Sequence, residues 1–246
     1  MRVIFYFLRV LSVAGFLMLS LTVKAQDSAE SKVKVDFSGD FVSSYVWRGF
    51  KQTGASIQPA LSLTTGGLTV GAWGSTDFEG GSSGHKEVDF YASYAIDRFS
   101  VTVTDYWWDG EGAFRYFSNP DEGYSGHMLE ASAAYTFSEK FPLSVAWNTF
   151  LLGEGNKKVD GGNSFSTFVE LSYPFSFQNF DFSLAAGFTP WESAVYGTNG
   201  FRFTQINLGV SKKIPITDSF SLPVYGNIIA NPATEDIHFV FGIKIE

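Results

Sequence analysis

Charged side chains recur at every second position of several apolar segments, which suggests that they line a polar surface. Glu87 and Asp89 are two residues apart, and Asp77 and Glu130 fall near the ends of neighbouring segments. Clustered carboxylates between low-dielectric walls raise the local concentration of cations. The same alternation gives these candidates for lining a pore: Asp40, Arg48, Asp77, Glu87, Asp89, Glu130, Glu170, Asp181 and Lys244.

Catalytic and metal chemistry has no comparable pattern. Gly80, Ser82 and Gly84 match the G-x-S-x-G arrangement, but that arrangement needs a strand–turn–helix context and here lies in a glycine-rich loop. The three histidines include no pair at i and i+4, and Ser125 near His127 lacks a recognisable polar orienter. We therefore predict no enzyme activity, cofactor or metal, with a lipid-acting barrel enzyme kept as an alternative.

The composition restricts the class of protein. The chain has 246 residues and a net charge of -8, without the basic footprint of a nucleic-acid-binding protein. Aromatic residues make up 17% and glycine numbers 25, a combination typical of strands and tight turns. The chain has no cysteine, which excludes a lipoprotein anchor, disulfides and thiolate metal sites.

The N-terminus has the pattern of a signal peptide. Arg2 and Arg9 supply positive charge before an apolar stretch that runs from Val10 to Val23. Ala25 ends a small-residue cleavage site. We predict removal of residues 1–25, with an N-terminal membrane anchor as the alternative, and a short periplasmic segment at 26–32. After residue 25 no apolar run reaches the roughly 18 residues that a membrane-spanning helix requires.

Alternation of apolar and polar residues, with few lapses, indicates that residues 33–246 are all-β. Twelve segments show this period of two, the signature of strands with one apolar face. They are 33–41, 57–63, 68–72, 88–94, 99–103, 129–137, 143–147, 165–173, 180–184, 206–210, 220–224 and 237–245. Short and longer connections mostly alternate between them, as in outer-membrane barrels. We predict a transmembrane antiparallel β-barrel of about 12 strands, with a soluble β-sandwich as the alternative.

Aromatic residues near strand ends predict girdles at the membrane interface. Tyr45, Trp47 and Trp107 continue lipid-facing rows, so we assign them to a girdle. A sugar-binding platform of Trp47, Trp107, Trp108 and Tyr116 is the alternative. The longest loop, 109–126, either constricts the lumen or is solvated.

The same alternation turns Arg48 toward water at the rim, near Asp77, Glu87 or Asp89. Arg48 is then either a structural salt-bridge partner or part of a pore constriction. Because barrel closure pairs the first and last strands, Lys34 or Asp36 can meet Lys244 at the periplasmic rim.

The lumen has two interpretations. Its carboxylates form an acidic mouth that attracts cations, or its side chains fill a narrow barrel. Five inward-facing aromatic residues favour the second interpretation: Trp73, Tyr91, Tyr106, Phe150 and Phe168.

Residues 40–96 resemble a known family. The match is carried by S-S-Y-V-W-R-G-F-K-Q-T at 43–53, by Pro59, and by GLTVGAWGSTDF and E-V-D-F-Y-A-S-Y further on. This arrangement resembles the TorF-like porin family, whose members are also catalogued as uncharacterised Gcw_chp-type proteins. Family members often carry a second charge where Val46 stands here. The resemblance implies an outer-membrane porin and names no substrate.

Together these patterns predict a porin in the outer membrane of a Gram-negative bacterium. It would pass small, preferably cationic, solutes by diffusion. Its expected partners are outer-membrane lipid and small solutes or ions, and no nucleic acid. A closed barrel with a structural or surface-interaction function is the alternative. The sequence specifies neither the solute nor the oligomeric state.

Overall fold

A computed structural model describes residues 33–78, 86–109, 116–117 and 126–246. Twelve long strands carry the fold: β1 (Lys34–Val42), β4 (Ser56–Thr65), β5 (Leu68–Asp77), β6 (Lys86–Ile96), β7 (Phe99–Asp109), β8 (His127–Thr136), β9 (Ser144–Leu152), β10 (Thr167–Phe177), β11 (Phe180–Thr189), β14 (Arg202–Pro215), β15 (Ser221–Asn231) and β16 (Asp236–Ile245). Four short strands form two hairpins, β2 (Tyr45–Trp47) with β3 (Phe50–Thr53) and β12 (Glu192–Ser193) with β13 (Thr198–Asn199). A 3-10 turn, Glu154–Asn156, follows β9.

The twelve long strands form a closed antiparallel barrel, as the alternation predicted. Each strand pairs with its neighbours along the chain, and β1 closes the ring by pairing with both β4 and β16. Short turns join strands at one end, such as 66–67 and 97–98, and longer connections join them at the other end. We refer to these as the short-turn end and the long-loop end.

The outer face of the barrel is apolar and exposed. Large apolar side chains alternate outward along the strands, and soluble monomers rarely expose an apolar surface of this extent. They include Val35, Phe37, Leu61, Leu63, Phe90, Tyr94, Val101, Val103, Leu171, Leu184, Leu208, Phe239 and Phe241. No helix among the described residues is long and apolar enough to span a bilayer.

Two of the long connections turn into the barrel instead of away from it. Residues 43–55, which we call the luminal hairpin, contain β2 and β3 and connect β1 to β4. Residues 190–201 contain β12 and β13 and place Val195 and Tyr196 in the same interior region. Both segments therefore contribute to the interior of the long-loop half.

The N-terminal predictions fall on residues that the structure does not describe. The signal peptide at 1–25 and the periplasmic segment at 26–32 both precede Val33, the first described residue. Both remain predictions.

Candidate functional site

Aromatic side chains fill the long-loop half of the lumen. Met128, Phe150, Phe168 and Tyr196 are fully or almost fully buried there. Other residues pack against them, and together they form what we call the luminal cluster: Trp47, Phe50, Tyr106, Trp108, Met128, Phe150, Phe168, Val195 and Tyr196. Barrels of about eight strands are filled by wall side chains alone, whereas a wider barrel needs additional material. The luminal hairpin and the 190–201 connection supply that material here.

Arg48 lies at the tip of the luminal hairpin and is bound to the opposite side of the barrel. Its guanidinium donates to both carboxylate oxygens of Glu130 on β8, at 2.6 and 2.8 Å. The Glu130 side chain is only 1% exposed and that of Arg48 11%. The same guanidinium lies over the rings of Trp47 and Phe168, at 4.4 and 5.0 Å. This is a bidentate ion pair inside an aromatic environment, the geometry for which arginine is suited.

The backbone of the hairpin tip is held against two further wall strands. Asn231 on β15 donates its side-chain amide to the Gly49 carbonyl at 3.2 Å. Gly49 has φ +89, and a Cβ atom there would lie 1.8 Å from the Thr204 carbonyl oxygen on β14. Only glycine fits this conformation and this approach. The tip therefore contacts β8, β14 and β15 at once.

Tyr196 completes the surroundings of Arg48 from the 190–201 connection. Its hydroxyl accepts a hydrogen bond from the Arg48 guanidinium at 2.5 Å. Burial, opposed in part by the Arg48 charge, raises the pKa of the Tyr196 phenol. Ser164 and Ser166 fix this connection by accepting hydrogen bonds from the backbone amides of Ala194 and Val195, both at 3.1 Å.

The short-turn half of the lumen is different in character. Many of its inward side chains are small, polar and half-buried: Ser38, Ser62, Thr64, Ser93, Thr102, Ser132, Thr136, Ser144 and Ser172. Several are joined by hydroxyl hydrogen bonds across strands; for example, the Thr102 hydroxyl donates to that of Ser93 at 2.9 Å. By contrast, Phe150 and Glu130 in the other half are 0% and 1% exposed. The lumen is thus accessible at one end and closed at the level of Arg48.

Glu87 and Asp89 face the lumen from β6, beside the luminal hairpin. They are 0% and 7% exposed, so both carboxyl groups are held away from bulk water. Tyr45, on the luminal hairpin, is also buried, at 8% exposed. Asp77, on β5 at the same end, lies 3.5 Å from the Lys86 ammonium group.

The remaining candidate residues are distributed along the barrel. Asp40 accepts a hydrogen bond from the Tyr225 hydroxyl at 3.1 Å, and Glu170 accepts one from Gln205 at 2.7 Å. Asp181 is exposed and accepts one from Ser176 at 2.6 Å.

The charges at the seam pair differently from the prediction. Lys244 lies opposite Asp40 in the β1–β16 register, and its ammonium group is 3.4 Å from the Glu246 carboxylate. Lys34 is bound to Asp36 at 2.6 Å. The predicted contact of Lys34 or Asp36 with Lys244 is wrong because the barrel is staggered, and β16 meets only the far end of β1.

Comparison with known proteins identifies the family. The family model described as "Bacterial protein of unknown function (Gcw_chp)" matches residues 26–225. The chain belongs to the Gcw_chp family. No curated protein matches the sequence.

Two solved structures are similar in fold. One is described as KdgM porin, with 7% sequence identity and a TM-score of 0.45. The other is described as "Asymmetric conductivity of engineered proteins", with 12% identity and a TM-score of 0.39. Each comparison covers 87% of this chain and 99% of the other.

In this Gcw_chp protein, two predicted girdle residues lie inside the barrel. Tyr45 packs against the inward-facing Trp73, with ring centroids 5.5 Å apart, and Trp47 belongs to the luminal cluster. The prediction extended the alternation of β1 beyond Val42, but the chain leaves the wall at Ser43 and turns inward. For the same reason Arg48 meets Glu130, and not the rim charges Asp77, Glu87 or Asp89.

Trp107, the third predicted girdle residue, is on the outer row but is covered. It is 1% exposed, and its ring lies 6.0 Å from that of Tyr116. The Tyr116 hydroxyl donates to Asp105 at 2.8 Å, and His127 contacts Asp105 at 3.1 Å and the Tyr116 carbonyl at 2.9 Å. This described part of the 109–126 loop therefore lies on the outer face and does not constrict the lumen. The four residues of the proposed sugar platform are divided between the two faces.

Sequence reasoning missed Phe50, Val195 and Tyr196 as interior residues. All three lie in connections between strands, where no periodicity indicates which way a side chain points. The presence of large, mainly apolar side chains in segments predicted as loops could have indicated burial. The G-x-S-x-G segment and Ser125 lie outside the described residues. Among the described residues, no group of three or more metal-ligating side chains is present.

Proposed function

We propose that this protein is an outer-membrane pore of the porin type that passes small solutes by diffusion. The observation that carries the proposal is the closed twelve-strand barrel with an apolar exterior and, in its short-turn half, a polar, half-exposed interior. A closed sheet satisfies every backbone polar group inside a bilayer, and a polar lumen gives solutes an aqueous route. No energy-coupling domain is needed for such diffusion.

The luminal hairpin determines the bore of this pore. The luminal cluster and the Arg48–Glu130 ion pair occupy the lumen at one level, whereas the short-turn half is lined by small hydroxyl side chains. Passage therefore requires displacement of the hairpin, or it is confined to small ions. Because the hairpin is a connection between β1 and β4, its movement does not break the barrel.

The pore favours cations. Glu87 and Asp89 bring two buried carboxyl groups to the lumen side of β6, beside the luminal hairpin. Arg48 does not offset this charge because Glu130 binds it. A net charge of -8 over the chain acts in the same direction.

Reconstitution of the purified protein in a planar bilayer under a salt gradient tests the proposal. We expect small, cation-selective conductance steps. The buried luminal cluster favours a second candidate, a closed barrel with a structural or surface-interaction function, which predicts no steps at all. Anion selectivity would contradict the proposed charge arrangement while leaving the pore itself intact.

A further inference from the structure

A small aromatic pocket lies beside the luminal cluster. It has a volume of about 280 Å³ and is lined by Trp47, Phe50, Gln52, Trp108, Val195 and Tyr196. Ligand sites in proteins typically measure about 300–1,000 Å³, so this pocket suits only a small molecule. Its lining comes from the luminal hairpin, β7 and the 190–201 connection, which places it at the long-loop end.

The pocket walls are aromatic rings, of which one pair is T-shaped and another pair is stacked. Trp47 and Trp108 meet at 69° with ring centroids 5.6 Å apart, which makes a corner. Phe50 and Tyr196 are inclined at 27° with centroids 6.0 Å apart and form a second wall. The rings of Trp47, Phe50 and Trp108 are only half-buried, so part of their surface faces the pocket.

These rings already stabilise one cation. The Arg48 guanidinium lies 4.4 Å from the centroid of the Trp47 ring, on the edge of the same cluster. The negative face of an aromatic ring attracts cations, and tryptophan attracts them most strongly. Glu130 accepts hydrogen bonds from both terminal nitrogens of Arg48. The negative charge of Glu130 therefore reduces the repulsion between Arg48 and a second cation nearby.

The polar groups of the pocket are too few for a sugar or another ligand with many hydroxyl groups. Gln52 already donates its amide to the Phe50 carbonyl at 3.1 Å, and the Tyr196 hydroxyl accepts from Arg48. A ligand with many hydroxyl groups would leave several of them without partners, which costs binding energy. A ligand whose charge is spread over methyl groups has no such requirement.

We propose that this pocket binds the quaternary ammonium group of a small organic cation. Aromatic cages are the known protein solution for this group, because several ring faces surround the charge without a competing hydrogen bond. Passage of the bound cation through the barrel rests on the pore function proposed above. Binding in the pocket does not.

Calorimetric titration of the full protein in detergent tests the proposal with two ligands of the same shape. Choline carries the charge, and 3,3-dimethylbutan-1-ol replaces its nitrogen with carbon. We expect saturable binding of choline and at least ~ten-fold weaker binding of the alcohol. Equal affinities would overturn the proposal, because the pocket would then recognise only shape, and so would the absence of choline binding.

Two variants assign the binding to the pocket. Trp108→Leu removes one wall and is expected to weaken choline binding about ten-fold or more. Trp147→Leu is the matched control because Trp147 is exposed on the outer face against Trp191, and its affinity should stay at the wild-type value. Equal loss in both variants, or in neither, would overturn the assignment.

The comparison of the two ligands in the wild-type protein stands even where a variant fails to fold. Choline binding without bilayer conductance would support the cation-binding pocket and contradict the pore function. Conductance without choline binding would support the pore function and contradict the cation-binding pocket.

Discussion

The guanidinium of Arg48 donates two hydrogen bonds to the carboxylate of Glu130, at 2.6 and 2.8 Å, across the interior of the barrel. The two residues are 82 positions apart in the chain, one at the tip of a connection and the other on a wall strand. This pair joins the luminal hairpin to β8, whereas the covalent chain joins it only to β1 and β4. Its energetics therefore decide how firmly the hairpin occupies the lumen.

Removal of the arginine should destabilise the protein strongly. Arg48→Ala leaves the Glu130 carboxylate buried without its cation, which typically costs about 3–5 kcal/mol. We expect a large fall in the urea midpoint of unfolding in detergent. Lys213→Ala is the matched control, since its pair with Glu246 is exposed and such pairs contribute only about 0–1 kcal/mol. Equal effects of the two substitutions would contradict the structural importance of the buried pair.

Replacement of both partners should restore most of that stability. Buried ion pairs exchanged for apolar residues of similar volume are often neutral or stabilising, because the desolvation cost of both charges disappears. Arg48→Met combined with Glu130→Leu is therefore expected to unfold at a urea concentration closer to wild type than Arg48→Ala alone. A double variant as unstable as Arg48→Ala would mean that the hydrogen bond to Tyr196 and the ring contacts matter more than charge.

The approach of the hairpin tip to β14 should be sensitive to a single methyl group. A Cβ atom on Gly49 would lie 1.8 Å from the Thr204 carbonyl oxygen, so Gly49→Ala must push the hairpin away from the wall. We expect a loss of stability and a larger bilayer conductance.

The control for this substitution is Gly66→Ala. Gly66 also has a positive φ, +58, but a Cβ atom there would meet no atom within 4 Å. It should cost only the backbone strain of about 1–2 kcal/mol and leave the conductance unchanged. If Gly49→Ala behaves in the same way, the contact with Thr204 does not hold the hairpin.

The barrel could be predicted from the sequence because the alternation of residue types within each strand distinguishes its apolar face from its polar face. Val33 to Phe41 and Ile237 to Ile245 alternate with few lapses, and this local property indicates both the strand and the side that faces outward. The register of β1 with β16 could not be derived in the same way. Closure depends on the stagger accumulated around all twelve strands, and this is why Lys244 lies opposite Asp40.

The interior site was less predictable for a different physical reason. Alternation predicts a direction only while the chain stays in the wall, and it leaves the wall after Val42. Beyond that point, Tyr45 and Trp47 follow the hairpin and not the barrel. The pairing of Arg48 with Glu130 depends on how far the hairpin extends across the lumen, and no local sequence pattern predicts that distance.

Charge selectivity should depend on the two carboxyls of β6. Glu87→Gln combined with Asp89→Asn removes the buried negative charge beside the hairpin, so the reversal potential under a salt gradient should shift toward zero. Glu154→Gln with Asp160→Asn is a matched control in the exposed connection after β9, where salt screens each charge. A larger shift from the control pair would place the selectivity at the mouth and not at β6.

The most direct test is the bilayer conductance of a variant without the luminal hairpin. Val42 and Ser56 are a register pair in the β1–β4 ladder, so an Asn-Gly turn can replace residues 43–55 without straining the barrel. A matched control replaces residues 216–220, between the paired Pro215 and Ser221 at the short-turn end, with the same turn. We predict that loss of the hairpin increases the single-channel conductance several-fold, while the control keeps the small wild-type steps. A correctly folded hairpin-free barrel that conducts no more than wild type would contradict the central claim.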